Sequence, residues 1–490
     1  MKPIVTMNRP NRILQWGVLI ISLAVLAGSC KKDDEPEVVV PTTLELNKIE
    51  TELELGETDP LSVTSEIGEQ TVTWTSSAPT VATVDANGTV VAIGFGTATI
   101  TAATEDKSAT CSVTVFLAEL ELDESELSLD VGDTEDLSVT TEIGDADILW
   151  ETSDPIIATV EDGTVTSHKG GDVTISATVA GVTATTDVSV AHDIYVAGAD
   201  FDGSGNEATF WKNGGAVSFT VAGEIAIGYD IIRVGTDVYV AGGQNNEAKY
   251  WKNGSAISLT NGMESSYAFA IDVVDSDVYV AGYESNGTTL IAKYWKNGSA
   301  VNLTDGSENA YTEAIKVVDG DVYVAGYEYN GSAYVAKYWK NGAETSLTDG
   351  SNDARAYGLF VDGDDVYISG YEYNGSNNVA KYWKNGVAVE LTDGSIRSRS
   401  QAITVVGEDV YVSGSEGDVA KYWKNGDSIN LTDGSQASYG YDIQVVGEDI
   451  YVAGYESNGA NIVAKYWKNG TVTNLTDGGN FALILAIFVW

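Results

Sequence analysis

One phrase constrains this chain more than any other. Asp-(Val/Ile)-Tyr-(Val/Ile)-(Ala/Ser)-Gly occurs seven times, beginning at residues 193, 237, 277, 321, 365, 409 and 449. Each copy is followed by a tryptophan within (Tyr/Phe)-Trp-Lys-Asn-Gly, at Trp211, Trp251, Trp295, Trp339, Trp383, Trp423 and Trp467. From tryptophan to the next phrase is always 26 residues, whereas phrase to tryptophan is 18 residues in five repeats and 14 in two. All length variation therefore lies in one loop. Apolar and polar residues alternate between Gly, Asn and Asp turns, which predicts strands. In the third repeat these are 270–274, innermost, then 278–283, 291–296 and 300–304, outermost. Asn-Gly after each Trp-Lys predicts a type I′ hairpin, whose two central residues both need positive φ.

A repeat of 40 to 44 residues with four short strands is the pattern of a β-propeller blade. The wording resembles the β-propeller repeats of bacterial surface proteins, and the resemblance covers residues 193–490. The first repeat lacks an inner strand, because Thr186 to Val190 belongs to the segment before it. Ala486 to Trp490 falls in the register of Ala270 to Val274. These last five residues are predicted to complete blade one and close a seven-bladed ring, removing both free edges.

Upstream, Thr42 to Val115 and Leu117 to Val190 repeat each other at an offset of 76, so that Gly56-Glu57-Thr58 recurs as Gly132-Asp133-Thr134 and Trp74 as Trp150. Short alternating runs between turn residues read as two small β-sandwiches. The string GETDPLSV…VTWTSSAPTVATVDANGTVVAIGFGTATITA resembles the bacterial immunoglobulin-like group 2 domain nearly end to end. The second copy, through WETSDPIIATVEDGTVTS, does so slightly less well. The resemblance implies a spacer or adhesion stalk. Cys111 takes a buried, small apolar position, and Trp74 and Trp150 read as core anchors. The fold class expected for the whole chain is all-β: two immunoglobulin-like sandwiches, 42–115 and 117–190, then a seven-bladed propeller over 193–490.

At the start, Lys2, Arg9 and Arg12 precede an apolar run from Trp16 to Ala27. This is the charged n-region and short h-region of a signal peptide, too short to span a bilayer comfortably. Leu26-Ala27-Gly28-Ser29-Cys30 resembles the lipobox of bacterial lipoproteins, which implies that residues 1–29 are removed and Cys30 is acylated. Lys31-Lys32-Asp33-Asp34-Glu35 is similar to the signal that exports lipoproteins of the Bacteroidetes to the outside of the outer membrane. The implied address is therefore the outer membrane, facing outward, with 30–41 as acylated tether.

With 72 Asp plus Glu against 26 Lys plus Arg, the net charge is −46. Such a surface repels phosphate backbones, which excludes nucleic acid as partner, and membrane contact is expected through the lipid anchor alone. Two His and two Cys leave little for imidazole catalysis or a four-ligand zinc site. No cofactor is expected. The metal candidate is calcium at Asp200, Asp202, Ser204 and Asn206, whose alternating oxygens look like the start of a calcium loop. Its twelfth position is Trp211, where a bidentate Glu is required.

The position sixteen residues after each tryptophan lies on the face carrying the variable loops. It holds Ile227, Tyr267, Tyr311, Arg355, Arg399, Tyr439 and Leu483. It is predicted in a loop three residues before the inner strand, near the mouth of the central channel, with Arg397 beside it. Arginine forks grip carboxylates and tyrosine faces stack on sugar rings. Tyr267, Tyr311, Arg355, Arg397, Arg399 and Tyr439 are thus the candidate ligand site, for an extracellular polysaccharide, an acidic glycan above all, or a surface protein. The alternative is a polysaccharide lyase or hydrolase with a tyrosine acid/base. The absence of histidine from residues 193–490 and the near-identity of the repeats count against it.

Overall fold

The structure is a computed structural model and describes residues 43–490 apart from 66–69, 118–119, 142–146, 202–204 and 221–224. The leader, Cys30 and the tether lie outside the described residues, as do Asp202 and Ser204. The described residues form strands and turns, with no helix, in two compact units, Met1–Ala118 and Glu119–Trp490.

In the first unit a four-stranded sheet (Glu50–Glu54, Ser108–Phe116, Gly96–Ala103, Thr73–Ser76) accompanies a three-stranded one (Thr58–Pro60, Thr89–Ala92, Ala82–Val84). Every second residue of the longer strands is buried, which gathers Leu53, Val90, Ile100, Val113 and the free thiol of Cys111 into one core. Trp74 packs against that core, and Gly88 in the facing turn has φ +85° with a missing Cβ that would collide with the indole. Trp150 and Gly163 repeat the arrangement at the start of the second unit. There Leu149–Thr152, Gly171–Val179, Val182–Val190 and Glu126–Leu129 form the four-stranded sheet.

From Ile194 onward the second unit is seven four-stranded antiparallel sheets. In the one containing Trp295 the order is Ser266–Val274, Asp277–Ser285, Leu290–Lys296, Ser299–Asn302. Six sheets use consecutive strands. The seventh joins Ile194–Phe201, Asn206–Lys212 and Gly215–Ser218 to the last strand of the chain, Ala482–Val489, with Ile194 opposite Val489 and Ala197 opposite Ala486. Each inner strand neighbours the next, and Ala482–Val489 neighbours both Ser438–Val446 and Ala226–Val234.

The repeated residues account for this arrangement. The seven tryptophans are at most 2% exposed. Each fills the gap between sheets: Trp295 packs among Tyr239, Ala241 and Ala248 of the preceding sheet, and Trp211 among Tyr451, Ala453 and Ala464. The Trp-Lys-Asn-Gly hairpins have Asn φ of 49–52° and Gly φ of 79–90°, as a type I′ turn demands. Their Asn and Lys bind the Asp that opens each phrase: Asn297 Nδ2 donates to Asp277 Oδ1 at 2.8 Å and Lys296 Nζ lies 2.7 Å from Asp277 Oδ2. These contacts are exposed and worth little energetically, but they fix register between the second and third strands.

The first of these aspartates does more. Asp193 meets Lys212 at 3.0 Å and Arg233 at 3.2 Å, and the Arg233 guanidinium lies 4.8 Å from the centre of the Trp490 ring. Burial would raise the Asp193 carboxyl, but Lys212 and Asn213 hold it below the ordinary carboxylate range. Lys169 of the sandwich approaches the same indole at 5.3 Å. Arg233 is thereby occupied where the sandwich meets the sheets.

Candidate binding site

The Gly that ends each repeated phrase decides how the inner strands run. At Gly282 a Cβ would strike the carbonyl of Tyr267, and the same holds at Gly198, Gly242, Gly326, Gly370, Gly414 and Gly454 against their own inner strands. With no side chain in the way the inner strand comes close and then slips by one residue. Ala268 pairs with Gly282 and Ala270 with Ala281, leaving Phe269 unpaired. The same bulge occurs in all seven sheets, at Tyr229, Phe269, Glu313, Tyr357, Gln401, Tyr441 and Leu485; at Gln401 the neighbouring Ala402 is skipped as well. A bulge re-aims a side chain. Here the seven bulged residues all line one cavity of about 420 Å³, together with Arg399 and the residues that follow each bulge.

The ring is two-sided. Around the sequence of inner strands, Glu313, Tyr357 and Gln401 are consecutive, and Tyr441, Leu485, Tyr229 and Phe269 complete the circuit. Tyr327 Oη donates to Glu313 Oε1 at 3.0 Å. Burial pushes the Glu313 carboxyl up to about 7, against the pull of that hydrogen bond and of the Arg355 charge. The residues below the ring include two more carboxylates. Asp230 accepts the amides of Ile231 and Ile271, and Asp442 those of Ile443 and Ile487, each at 2.8 Å. Each carboxylate thus ties one inner strand to the next. Burial raises Asp230 to about 7, helped by the like charges of Asp442 and Asp272, and raises Asp442 to about 6.

The predicted crescent sits elsewhere than expected. Tyr267, Tyr311, Arg355, Arg399 and Tyr439 are not loop residues: the inner strands start four residues earlier than predicted and carry each of them as the second residue, opposite Tyr283, Tyr327, Tyr371, Ser415 and Tyr455. Of the six candidates Arg399 alone lines the cavity. Arg355 is held between the rings of Tyr327 and Tyr334, at 4.9 and 4.7 Å, with its Nε 3.7 Å from Asp353. Tyr311 stacks on Tyr327 at 5.0 Å, and Tyr267 Oη donates to Asn246 at 2.9 Å. Tyr439 lies 5.3 Å from Tyr455. Arg397 is exposed and joins none of these contacts. Asp200 and Asn206 are ladder residues, opposite Glu207 and Phe201.

The crescent joins the ring in one belt of aromatic contacts. Ring contacts run without a break from Tyr229 through Phe269, Tyr283, Tyr311, Tyr327 and Tyr357 to Tyr371, where the Arg399 guanidinium lies 5.3 Å from the ring centre. The Nε atoms of both Arg355 and Arg399 are buried without a hydrogen-bond partner. The cavity residues themselves escaped the sequence reading. The position eighteen after each tryptophan varies between repeats, but so do positions sixteen, seventeen and twenty-one of the same strands, so variation alone does not single it out.

Comparison with known proteins places the first part of the chain. Residues 70–116 match the bacterial Ig-like domain and residues 117–190 the bacterial Ig-like domain of group 2. Both are bacterial Ig-like domains. The group 2 match falls on the second copy, whereas the sequence reading ranked the first copy nearer to that group. An uncharacterised protein of Clostridium acetobutylicum is 33% identical over 181 residues, which is 34% of this chain; the match covers 19% of that protein's length. Among solved structures, domains 4 and 5 of the S-layer protein SbsC are 20% identical and cover 31% of this chain and 100% of their own, with a TM-score of 0.15. A quinonprotein alcohol dehydrogenase-like protein of Bacteroides thetaiotaomicron is 11% identical over 75% of this chain and 96% of its own, with a TM-score of 0.35. The putative TolB of Agrobacterium tumefaciens is 10% identical over 61% and 99%, with a TM-score of 0.33.

Proposed function

We propose that this chain is a surface binding or adhesion protein. In this reading residues 193–490 are a seven-bladed β-propeller closed by the C-terminal strand, carried on the two Ig-like domains and tethered to the outer membrane through an acylated Cys30. The ligand, a polysaccharide or a partner protein, is taken at the cavity. One observation carries the reading: seven closely similar repeats turn seven bulged and mostly different side chains into a single cavity, and convergence of varied side chains on one cavity of a repeated scaffold is how a scaffold acquires a ligand. A tyrosine base, which the lyase reading calls for, is disfavoured. Burial, and then the Glu313 charge, push the Tyr327 hydroxyl up, and burial pushes Tyr357 up as well.

A panel of polysaccharides and surface proteins tested for retention of the full chain checks the ligand. Leu485→Trp, which fills the cavity from its apolar side, is expected to reduce retention about tenfold with the melting temperature unchanged; full retention in a folded variant would place the ligand elsewhere. Anchoring is tested separately. Cys30→Ser protein is expected to leave the membrane fraction, and continued fractionation with membranes would refute the lipoprotein reading.

A further inference from the structure

The cavity wall carries its own statement about the ligand, resting on the binding reading above. Arg399 spends one face of its guanidinium on Tyr371 at 5.3 Å, while its Nε is buried with no acceptor. That nitrogen is unpartnered on a protein of net charge −46. A stacked guanidinium keeps its edge free, and that edge fits the two oxygens of a carboxylate. Beside it on the same wall stand Tyr357, Gln401 and Glu313, one of whose carboxyl oxygens is taken by Tyr327. These are partners for hydroxyl groups. The opposite wall, Tyr441, Leu485, Tyr229 and Phe269, is aromatic and apolar at the level of the bulges, with Asp230 and Asp442 below it already accepting two backbone amides each. A ligand matching both walls carries one carboxylate, several hydroxyls and an apolar face, and Glu313 disfavours a multiply charged anion such as phosphate.

Depth adds a further constraint. The cavity measures about 420 Å³, in the lower part of the range for small-ligand sites, roughly 300 to 1,000 Å³. The next inward row, with Asp272 and Lys316 paired at 3.1 Å and Gln444 bonded to Val489, does not line it. A cavity of this volume accepts one end or one branch of a polymer.

We infer that the cavity binds a single carboxylate-bearing pyranose, a hexuronate-type terminal or branch residue, with its carboxylate on Arg399 and its ring against the aromatic wall. Arg355, locked between two tyrosines, is a positioning residue that holds the belt behind Glu313.

The test titrates the full chain with sodium D-glucuronate, methyl D-glucuronate ester, D-glucose and N-acetyl-L-alanine, followed calorimetrically and by tyrosine fluorescence. Glucuronate is expected to bind saturably, about tenfold or more tighter than the ester or glucose, a difference of about 1.4 kcal/mol. Arg399→Gln should erase that preference, and Arg355→Gln should weaken it less. If Arg399→Gln does not fold, the comparison of acid with ester on the parent protein decides alone. Equal binding of acid and ester, or N-acetylalanine binding as tightly as glucuronate, would overturn the inference. If polysaccharides are retained but glucuronate neither binds nor competes, the sugar assignment falls while the binding role stands. If neither polysaccharides nor surface proteins are retained, the binding role falls.

Discussion

Deleting Ala482 to Trp490 is expected to abolish cooperative folding of the seven-sheet unit. The segment is the inner strand of the sheet that begins at Ile194. It buries Ile484, Ile487 and Val489, which are 0%, 5% and 4% exposed. At roughly 1.5 to 3 kcal/mol for each large buried side chain, the loss is about 5 to 8 kcal/mol, comparable to the whole stability of an ordinary domain. The deletion also leaves Asp442 and Gln444 without the Ile487 and Val489 amides they bind at 2.8 and 2.6 Å. Ile194–Phe201 would become an open edge beside the tryptophan-packed sheets, which invites aggregation. Thermal melting followed by near-ultraviolet circular dichroism checks this. A truncated protein melting at the parent's temperature would mean that the last strand closes nothing.

Stability of the same unit is expected to fall as pH rises from about 4 to 7. Glu313 and Asp230 are raised to about 7 and Asp442 to about 6, each chiefly by burial. A carboxyl raised in the folded state holds its proton there after the unfolded chain has lost it, so the folded state binds more protons and loses stability as pH rises through that window. The three face the cavity and are partly screened. With about 1.4 kcal/mol per pKa unit and roughly one effective unit each, the total is about 4 kcal/mol. Aspartates paired with lysine, such as Asp277 and Asp321, are lowered and act in the opposite sense only at more acid pH. Urea unfolding at pH 5 and pH 8 measures the difference. Glu313→Gln, which keeps an acceptor for Tyr327, should remove about a third of it; an unchanged slope would show that Glu313 keeps its charge at neutral pH.

Much of this architecture was legible because single residues have single jobs. Asn-Gly after Trp-Lys can hardly be anything but a type I′ hairpin, and the C-terminal register followed from counting back from the missing phrase. The phrase's Asp and the hairpin's Lys-Asn recur together because they bind one another, as Asp277, Lys296 and Asn297 do. The candidate site was read two residues away from the cavity wall for an equally definite reason. A bulge breaks the period of two on which strand reading depends, so Tyr229 and its counterparts look like ordinary strand positions. The glycine that permits the bulge, Gly282 and its equivalents, was visible as a repeat letter but its collision with the neighbouring carbonyl was not. Arg355 and Arg399 share one repeat position in the sequence. Only the structure separates them, since one is sandwiched between Tyr327 and Tyr334 while the other lines the cavity. Arg233 belongs to the Asp193 and Trp490 contact, which joins distant parts of the chain and leaves no local pattern.

The central claim is that ligand is taken at the cavity built by the seven bulges. Hydrogen exchange on the full chain, with and without a polysaccharide it retains, tests this most directly. The account predicts slowed exchange in the first halves of the inner strands, around Tyr229, Phe269, Glu313, Tyr357, Gln401, Tyr441 and Leu485, with the seven Trp-Lys-Asn-Gly hairpins unchanged. Protection confined to those hairpins or to the Ig-like domains would contradict it.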